Sequence, residues 1–233
     1  MQSIPIKLAR GARENPNGER QSREMANCFG DVVDNYKLDT MPRYIGKKKT
    51  REDRAREASY LSNENEKYKK AKDYVNMLKD WYGNGASTLC VIYNQTGGTL
   101  RYVDDKDWLG YPGPTPYPTE IGNGQWASFL HVHKTGASSG SMAAVVYRGK
   151  DGGGSERDFA MAWSTPWGAS KNRAYCEIGN VGSFQSQWDN LYKKLNKAGY
   201  TTNASGTSSS ISAATAKGSS PDFKAYVKIP YSA

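Results

Sequence analysis

Two histidines, His131 and His133, stand two residues apart in a stretch that reads as a strand. That spacing turns both imidazoles to one face, where they could supply two ligands to a metal. Two ligands make an incomplete site, and no carboxylate or cysteine lies near them in sequence, so no metal site is expected. Asp104, Asp105 and Asp107 form an acidic group without the spacing or the terminal glutamate of a calcium loop, and loop solvation is the expected role. Lys150-Asp151-Gly152-Gly153-Gly154 is glycine-rich but lacks the Gly-Lys-Ser/Thr ending of a phosphate cradle, and reads as a hairpin turn. Neither Gly-x-Ser-x-Gly nor a Cys-His pair with an orienting third group is evident. The sequence therefore points away from an enzyme and calls for no cofactor.

Charge is the other chemical resource. Lys and Arg number 32 against 23 Asp and Glu, for a formal net charge of +9. A surface with that excess attracts anions such as acidic lipid, sulfated sugar or nucleic acid. Much of it lies before residue 80, and Lys47, Lys48, Lys49 and Arg51 form the candidate anion patch, although such runs are most often solvated faces. Nucleic-acid association through Arg43 to Arg56 would rest on charge alone, so it is not the expected partner. The three cysteines, Cys28, Cys90 and Cys176, have no paired spacing, which argues against a disulfide framework.

These groups must be held by a mainly β scaffold. From Ser87 onward, short apolar stretches alternate with Gly and Pro turns: Thr88–Tyr93, Thr99–Val103 as its hairpin partner, Gln125–His133, Ala143–Tyr147, Phe159–Ser164, Ala174–Ile178, and a final alternating strand Phe223–Ile229. That rhythm predicts a β-sandwich. Residues 204–220 read as a long loop around one weak strand. Two helices flank the strands. Asn65–Tyr82 carries Tyr68, Ala71, Val75, Leu78 and Tyr82 on one stripe, and Phe184–Lys197, capped by Ser183, carries Phe184, Trp188, Leu191, Tyr192 and Leu195 on another. Thr50 to Asp53 has the form of a capping box. Residues 1–24 lack any apolar period and are expected to be a disordered extension to a single domain spanning 25–233. No stretch approaches 18 apolar residues and no secretory signal is evident, so a cytosolic or nuclear protein is expected.

Three segments carry a family likeness: Tyr82-Gly83-Asn84-Gly85-Ala86-Ser87-Thr88-Leu89-Cys90, the run Tyr117 to Phe129 with Ile121-Gly122-Asn123-Gly124-Gln125-Trp126 at its heart, and Ala162-Trp163-Ser164-Thr165-Pro166-Trp167-Gly168 followed by Ala174 to Gly179. In these the chain resembles the plant 23 kDa jasmonate-induced proteins, from Met25 to its end, which implies a role in plant stress or defence. The order of its glycine turns, its Trp-Ser-Thr-Pro-Trp segment, its helix and its last strand is also similar to actinoporin-like cytolysins and fungal fruit-body lectins. That likeness implies an actinoporin-like β-sandwich flanked by two α-helices.

Actinoporins hold a phosphocholine head group with a Ser-x-Pro segment, a neighbouring valine and helix tyrosines. Ser164 and Pro166 match the segment, Met142 replaces the valine, Trp188 replaces one tyrosine and Tyr192 matches another. The resemblance thus implies a cleft between sheet and C-terminal helix for a glycan or a lipid head group, with an anionic membrane surface as a further partner. The same residues also serve to glue helix to sheet. Departures exist: Gly168–Arg173 has no aromatic cluster, and Lys193 falls where another tyrosine would complete the pocket. A pore-forming cytolysin is accordingly the alternative reading, in which the helix at 65–82 detaches and inserts.

Overall fold

The computed structural model describes residues 27–168 and 171–231. The expected extension at 1–24 lies outside them. The chain opens with β1 (Cys28–Phe29), α1 (Asn35–Asp39), a 3-10 turn at Pro42–Tyr44, α2 (Arg51–Tyr60) and α3 (Lys67–Tyr82). The strands follow as β2 (Ser87–Gln95), β3 (Leu100–Leu109), β4 (Tyr111–Pro112), β5 (Glu120–Ile121), β6 (Trp126–Val132), β7 (Ser141–Lys150), β8 (Glu156–Thr165) and β9 (Arg173–Gly179). Then come α4 (Trp188–Lys197), β10 (Thr201–Ser205), β11 (Ser210–Thr215) and β12 (Asp222–Lys228).

The strands form two sheets, as the sandwich reading requires. One runs β1-β6-β2-β12-β11-β10 with β4 also on β6, and the other runs β5-β3-β7-β8-β9. All pairings are antiparallel except β12 with β2. Period-2 alternation explains the layers. Cys90, Ile92, Ala127, Phe129, Phe223, Ala225 and Val227 point between the sheets and meet Ala143, Val145, Tyr147, Phe159, Met161 and Trp163. The opposite face of the first sheet, Leu89, Val91, Tyr93, Trp126, Leu130 and Val132, is covered by Ala71, Val75 and Leu78 of α3. Covered on both faces, all nine residues of β2 are buried. The outer face of the second sheet is covered by Leu191 and Leu195 of α4 together with Phe184.

Several expectations need correction. The stretch after Gln95 does not fold back as a hairpin, because β3 crosses to the other sheet and pairs with β7 and β5. The turn is fixed by side chains. Asn94 donates to the carbonyls of Gly98 (2.8 Å) and Ile121 (2.7 Å), and Arg54 Nε donates to the carbonyl of Gly97 (2.8 Å). Gly97 has a φ of +70°, and a Cβ there would come within 2.1 Å of the Arg51 carbonyl. The first flanking helix begins at Lys67 rather than Asn65, because Asn65 and Glu66 adopt left-handed φ values of 52° and 57°. The last begins at Trp188 with Gln187 as its cap residue, so Ser183 does not cap it. Phe184 packs over Gly179 one turn ahead of the helix, and its apolar spacing imitates a helical position. Residues 201–215 form two paired strands rather than a loop around one.

The flanking helices are also more than two. α1, capped by Asp34, and α2, whose Thr50–Asp53 capping box is formed in both directions, share a small core of Val33, Leu38, Tyr44 and Ala58. Among the described residues no helix is long and apolar enough to cross a membrane.

Candidate functional site

His131 is fully buried on β6, where alternation turns it between the sheets. Its Nε2 lies 3.0 Å from Asp107 Oδ1 on β3, and its Nδ1 lies 2.8 Å from Ser141 Oγ on β7. A carboxylate only accepts, so Nε2 carries the proton and Nδ1 accepts from the serine hydroxyl. Thr88 Oγ1 lies 2.7 Å from Ser141 Oγ and 2.9 Å from Thr165 Oγ1, which extends the chain to β2 and β8. Five strands are thereby joined by one ordered line: Thr165, Thr88, Ser141, His131, Asp107.

The connectivity of serine, histidine and carboxylate is that of a hydrolase, and the sequence concealed it, because the residues lie 10 and 24 positions apart. Ser141 and His131 are both 0% exposed, however, so no substrate carbonyl can approach the hydroxyl. Burial lowers the His131 pKa below 6.5, with Asp107 and Asp105 pulling the other way. The line is best understood as the floor that positions the segment above it, since Thr165 is the residue between Ser164 and Pro166.

His133 engages different partners. Its Nδ1 lies 3.1 Å from Tyr82 Oη and 3.2 Å from the Ala86 carbonyl, and its ring meets Trp167 at 5.3 Å. The two imidazoles therefore share no common ligand point. Among the described residues no group of three or more histidine, cysteine, aspartate or glutamate side chains is placed to hold a metal. Asp104, Asp105 and Asp107 lie within β3 rather than in a loop. The Asp105 carboxyl accepts from Tyr102 Oη and is raised in pKa chiefly by burial.

Met142 and Ser164 are cross-strand partners on the face beneath α4. Met142 is 3% and Ser164 is 7% exposed. Trp188 is half-buried in the apolar cluster shared with Met142, Ala144, Ala162 and Leu191, so it serves packing. Tyr192 is 41% exposed and rests on Trp108, with ring centroids 5.5 Å apart, a partner the sequence did not suggest. Pro166 is partly exposed at the end of β8. The candidate residues thus belong to one helix-covered face, with Tyr192 alone presenting much aromatic surface.

Around this same end of the sandwich stand exposed aromatics from other elements. Trp167 is 46% exposed, Tyr111 40% and Trp81, next to the Tyr82 that bonds His133, 70%. Tyr111 Oη is 3.0 Å from Thr135 Oγ1. Neither Trp81 nor Tyr111 was marked by any motif in the sequence, and their exposure is seen only in the fold.

The basic segment divides. Lys49 pairs with Asp39, and Arg51 turns inward, its Nη1 donating to the Thr96 carbonyl at 3.4 Å. Lys47 and Lys48 remain exposed beside a cavity that also involves Arg43, Tyr44, Asp53, Arg56, Glu57 and Tyr60.

Comparison with known proteins then places the chain. Residues 29–229 match the family described as Nakanori-like protein. The 23 kDa jasmonate-induced protein of Hordeum vulgare is 41% identical over 157 residues, covering 66% of this chain and 74% of that one. A jasmonate-induced protein homolog of Atriplex canescens is 31% identical over 121 residues, covering 50% of this chain and 64% of that one. Among solved structures, the crystal structure of lipid binding protein Nakanori matches with a TM-score of 0.78 and 25% identity, over 86% of this chain and 99% of that chain. The likeness to jasmonate-induced proteins and the β-sandwich expectation are both borne out.

Proposed function

The chain belongs to the Nakanori-like protein family, and from that premise we propose that it is a non-enzymatic lipid-binding protein that meets a membrane surface with the Ser164–Trp167 end of its sandwich. The observation that carries this reading is that exposed Trp167 packs on His133 and exposed Trp81 is adjacent in sequence to the Tyr82 that bonds the same His133, with exposed Tyr111 held to Thr135 close by in the chain. Trp and Tyr favour the water–lipid boundary because the ring is apolar while its N–H or O–H stays hydrated. Met142 and Ser164 with Tyr192 and Trp108 form the edge where a head group would lie, and the two aromatic faces suit a quaternary ammonium. Lys193 beside Tyr192 is exposed and suits the neighbouring phosphate.

Pore formation has no comparable support. The face of α3 that would insert is the one covering Leu89, Val91, Trp126 and Leu130, and withdrawing it would expose both surfaces to water. The glycan reading shares the same edge and is tested alongside.

The experiment is co-sedimentation of the full chain with sphingomyelin, phosphatidylcholine and phosphatidylserine vesicles, in parallel with a glycan array. Binding to vesicles without dye release is expected. Trp81→Ala and Trp167→Ala should each weaken it about tenfold, the equivalent of about 1.4 kcal/mol, by removing interfacial ring surface. Failure to bind any vesicle, or binding by both variants as tight as that of wild type, would overturn the proposal, and glycan binding alone would replace lipid with sugar.

A further inference from the structure

The cavity beside Lys47 and Lys48 lies at the end of the molecule opposite those aromatics, has a volume of about 420 Å³, and is open to solvent and bordered by the 3-10 turn at Pro42–Tyr44, the loop carrying the two lysines, and one side of α2. Its floor is a buried carboxylate. Glu57 is 0% exposed and accepts from Tyr44 Oη at 2.6 Å and from the Arg43 guanidinium. Arg56 donates to Tyr44 Oη at 2.9 Å and pairs with Asp53. The two arginines are thus fixed by the wall of the cavity rather than left to sample solvent.

The charge at this wall does not balance. Arg43, Lys47, Lys48 and Arg56 line it against Asp53 and Glu57, four cations to two anions. Neighbouring cations are used elsewhere: Lys49 by Asp39, Arg51 by the Thr96 carbonyl, and Arg54 by the Gly97 carbonyl and Asn35 Oδ1. Lys47 and Lys48 have no ion-pair partner among the described residues. Folding therefore concentrates an excess of two positive charges into one concave site, which an open solvated run would not do. Tyr60, 59% exposed, adds an aromatic face at the border.

From this arrangement we propose that the cavity binds a phosphomonoester dianion, held by Lys47 and Lys48 against the fixed guanidinium groups of Arg43 and Arg56. Two net charges match the ligand's charge, and arginine suits phosphate because its planar fork presents paired donors. The phosphomonoester can come from a soluble phosphorylated metabolite or from a phosphorylated lipid head group, the shared chemistry being the dianion. Position separates this site from the aromatic end. Arg51 and Arg54 tie α2 to the residues that follow β2, whereas Tyr82 and His133 lie where β2 begins, and nine strand residues at about 3.3 Å each put roughly 30 Å between the two ends. The site therefore stands or falls independently of the lipid-binding reading.

The test is isothermal titration of the full chain with inorganic phosphate and with inositol hexakisphosphate, and co-sedimentation with phosphatidylcholine vesicles with and without phosphatidylinositol 4-phosphate. The exposed pair Lys47→Ala/Lys48→Ala should fold as wild type by circular dichroism and lose about tenfold in affinity per lysine. Saturable binding to a soluble phosphate, lost in the double variant and kept in Trp167→Ala, supports the site with a soluble ligand. Binding only to the phosphoinositide vesicles, lost in the same variant, supports it with a lipid source. Absence of both, equal affinity in wild type and double variant, or tighter lysine-dependent binding to a random DNA duplex would overturn it.

Discussion

Replacing His131 by phenylalanine would remove the imidazole from the buried line while keeping a ring against Trp163, now 5.4 Å away and edge-on. At pH 7.5 the variant loses two hydrogen bonds, to Ser141 and Asp107. Neither partner is orphaned. Ser141 keeps Thr88 and the residue-131 carbonyl at 3.2 Å, and Asp107 is 29% exposed with Tyr117 Oη at 3.4 Å. At about 0.5–1.5 kcal/mol each, the loss is about 1–3 kcal/mol.

The pH dependence is the sharper part. Burial holds the folded His131 pKa below 6.5, so its contribution is fully present above pH 6.5 and is lost as pH falls from 6.5 toward the folded value, where only the unfolded chain takes up the proton. The limiting slope is about 1.4 kcal/mol per pH unit. Urea unfolding of wild type and His131→Phe from pH 7.5 to 5.5 should show the gap between them shrinking by up to that amount. Parallel curves would show that His131 titrates as it does in the unfolded chain, and the reasoning from burial would be wrong.

Two further predictions concern other buried devices. Lys67 is 1% exposed, donates to the Gly124 carbonyl at 2.7 Å, and is lowered to a pKa of about 8 by burial. Its contribution is complete only above pH 10.5 and is lost as pH falls toward 8, so wild type should gain on Lys67→Met by up to about 1.4 kcal/mol per unit between pH 8 and 9.5; a constant difference in urea midpoints would refute this. Gly97→Ala should cost more than about 2 kcal/mol, combining left-handed strain with a clash against the Arg51 carbonyl, whereas Gly136→Ala, at a φ of +76° with nothing within 4 Å, should cost about 1 kcal/mol. Equal thermal shifts for the two would count against the crossover as described.

What the sequence revealed and what it hid follow from range. β6 and β12 were legible because alternation is a local property, and the α3 stripe was legible because Ala71, Val75 and Leu78 repeat at helical spacing. The crossover after Gln95 was not, since Gly97-Gly98 resembles a turn and side chains distant in sequence, among them Arg51, Arg54 and Asn123, hold the chain as it leaves its sheet. The start of α4 was missed because a residue pinned to Gly179 keeps helical spacing without being helical. Ser164 and Met142 were singled out through resemblance and are cross-strand partners in the fold, while Asp107, His131 and Ser141 meet only across three strands. Within the basic run, no local signal tells Lys49 and Arg51, consumed by Asp39 and Thr96, from Lys47 and Lys48, left at the cavity.

β2 connects these observations. Buried on both faces, it is a rigid spacer whose first residues support the hydroxyl line under Ser164–Pro166 and whose last residues anchor the crossover that α2 grips. The two sites proposed at its ends would work by different physics. Partition of Trp81, Tyr111 and Trp167 into an interface depends on surface removed from water and tolerates salt. Attraction of a dianion to Lys47 and Lys48 is Coulombic and is screened over about 10 Å at 0.1 M salt, a fraction of the length of β2. A charge held at the basic cavity therefore has little reach to the aromatic end in physiological salt, and any coupling between the two would have to travel through β2 itself, whose close packing leaves it little room to move.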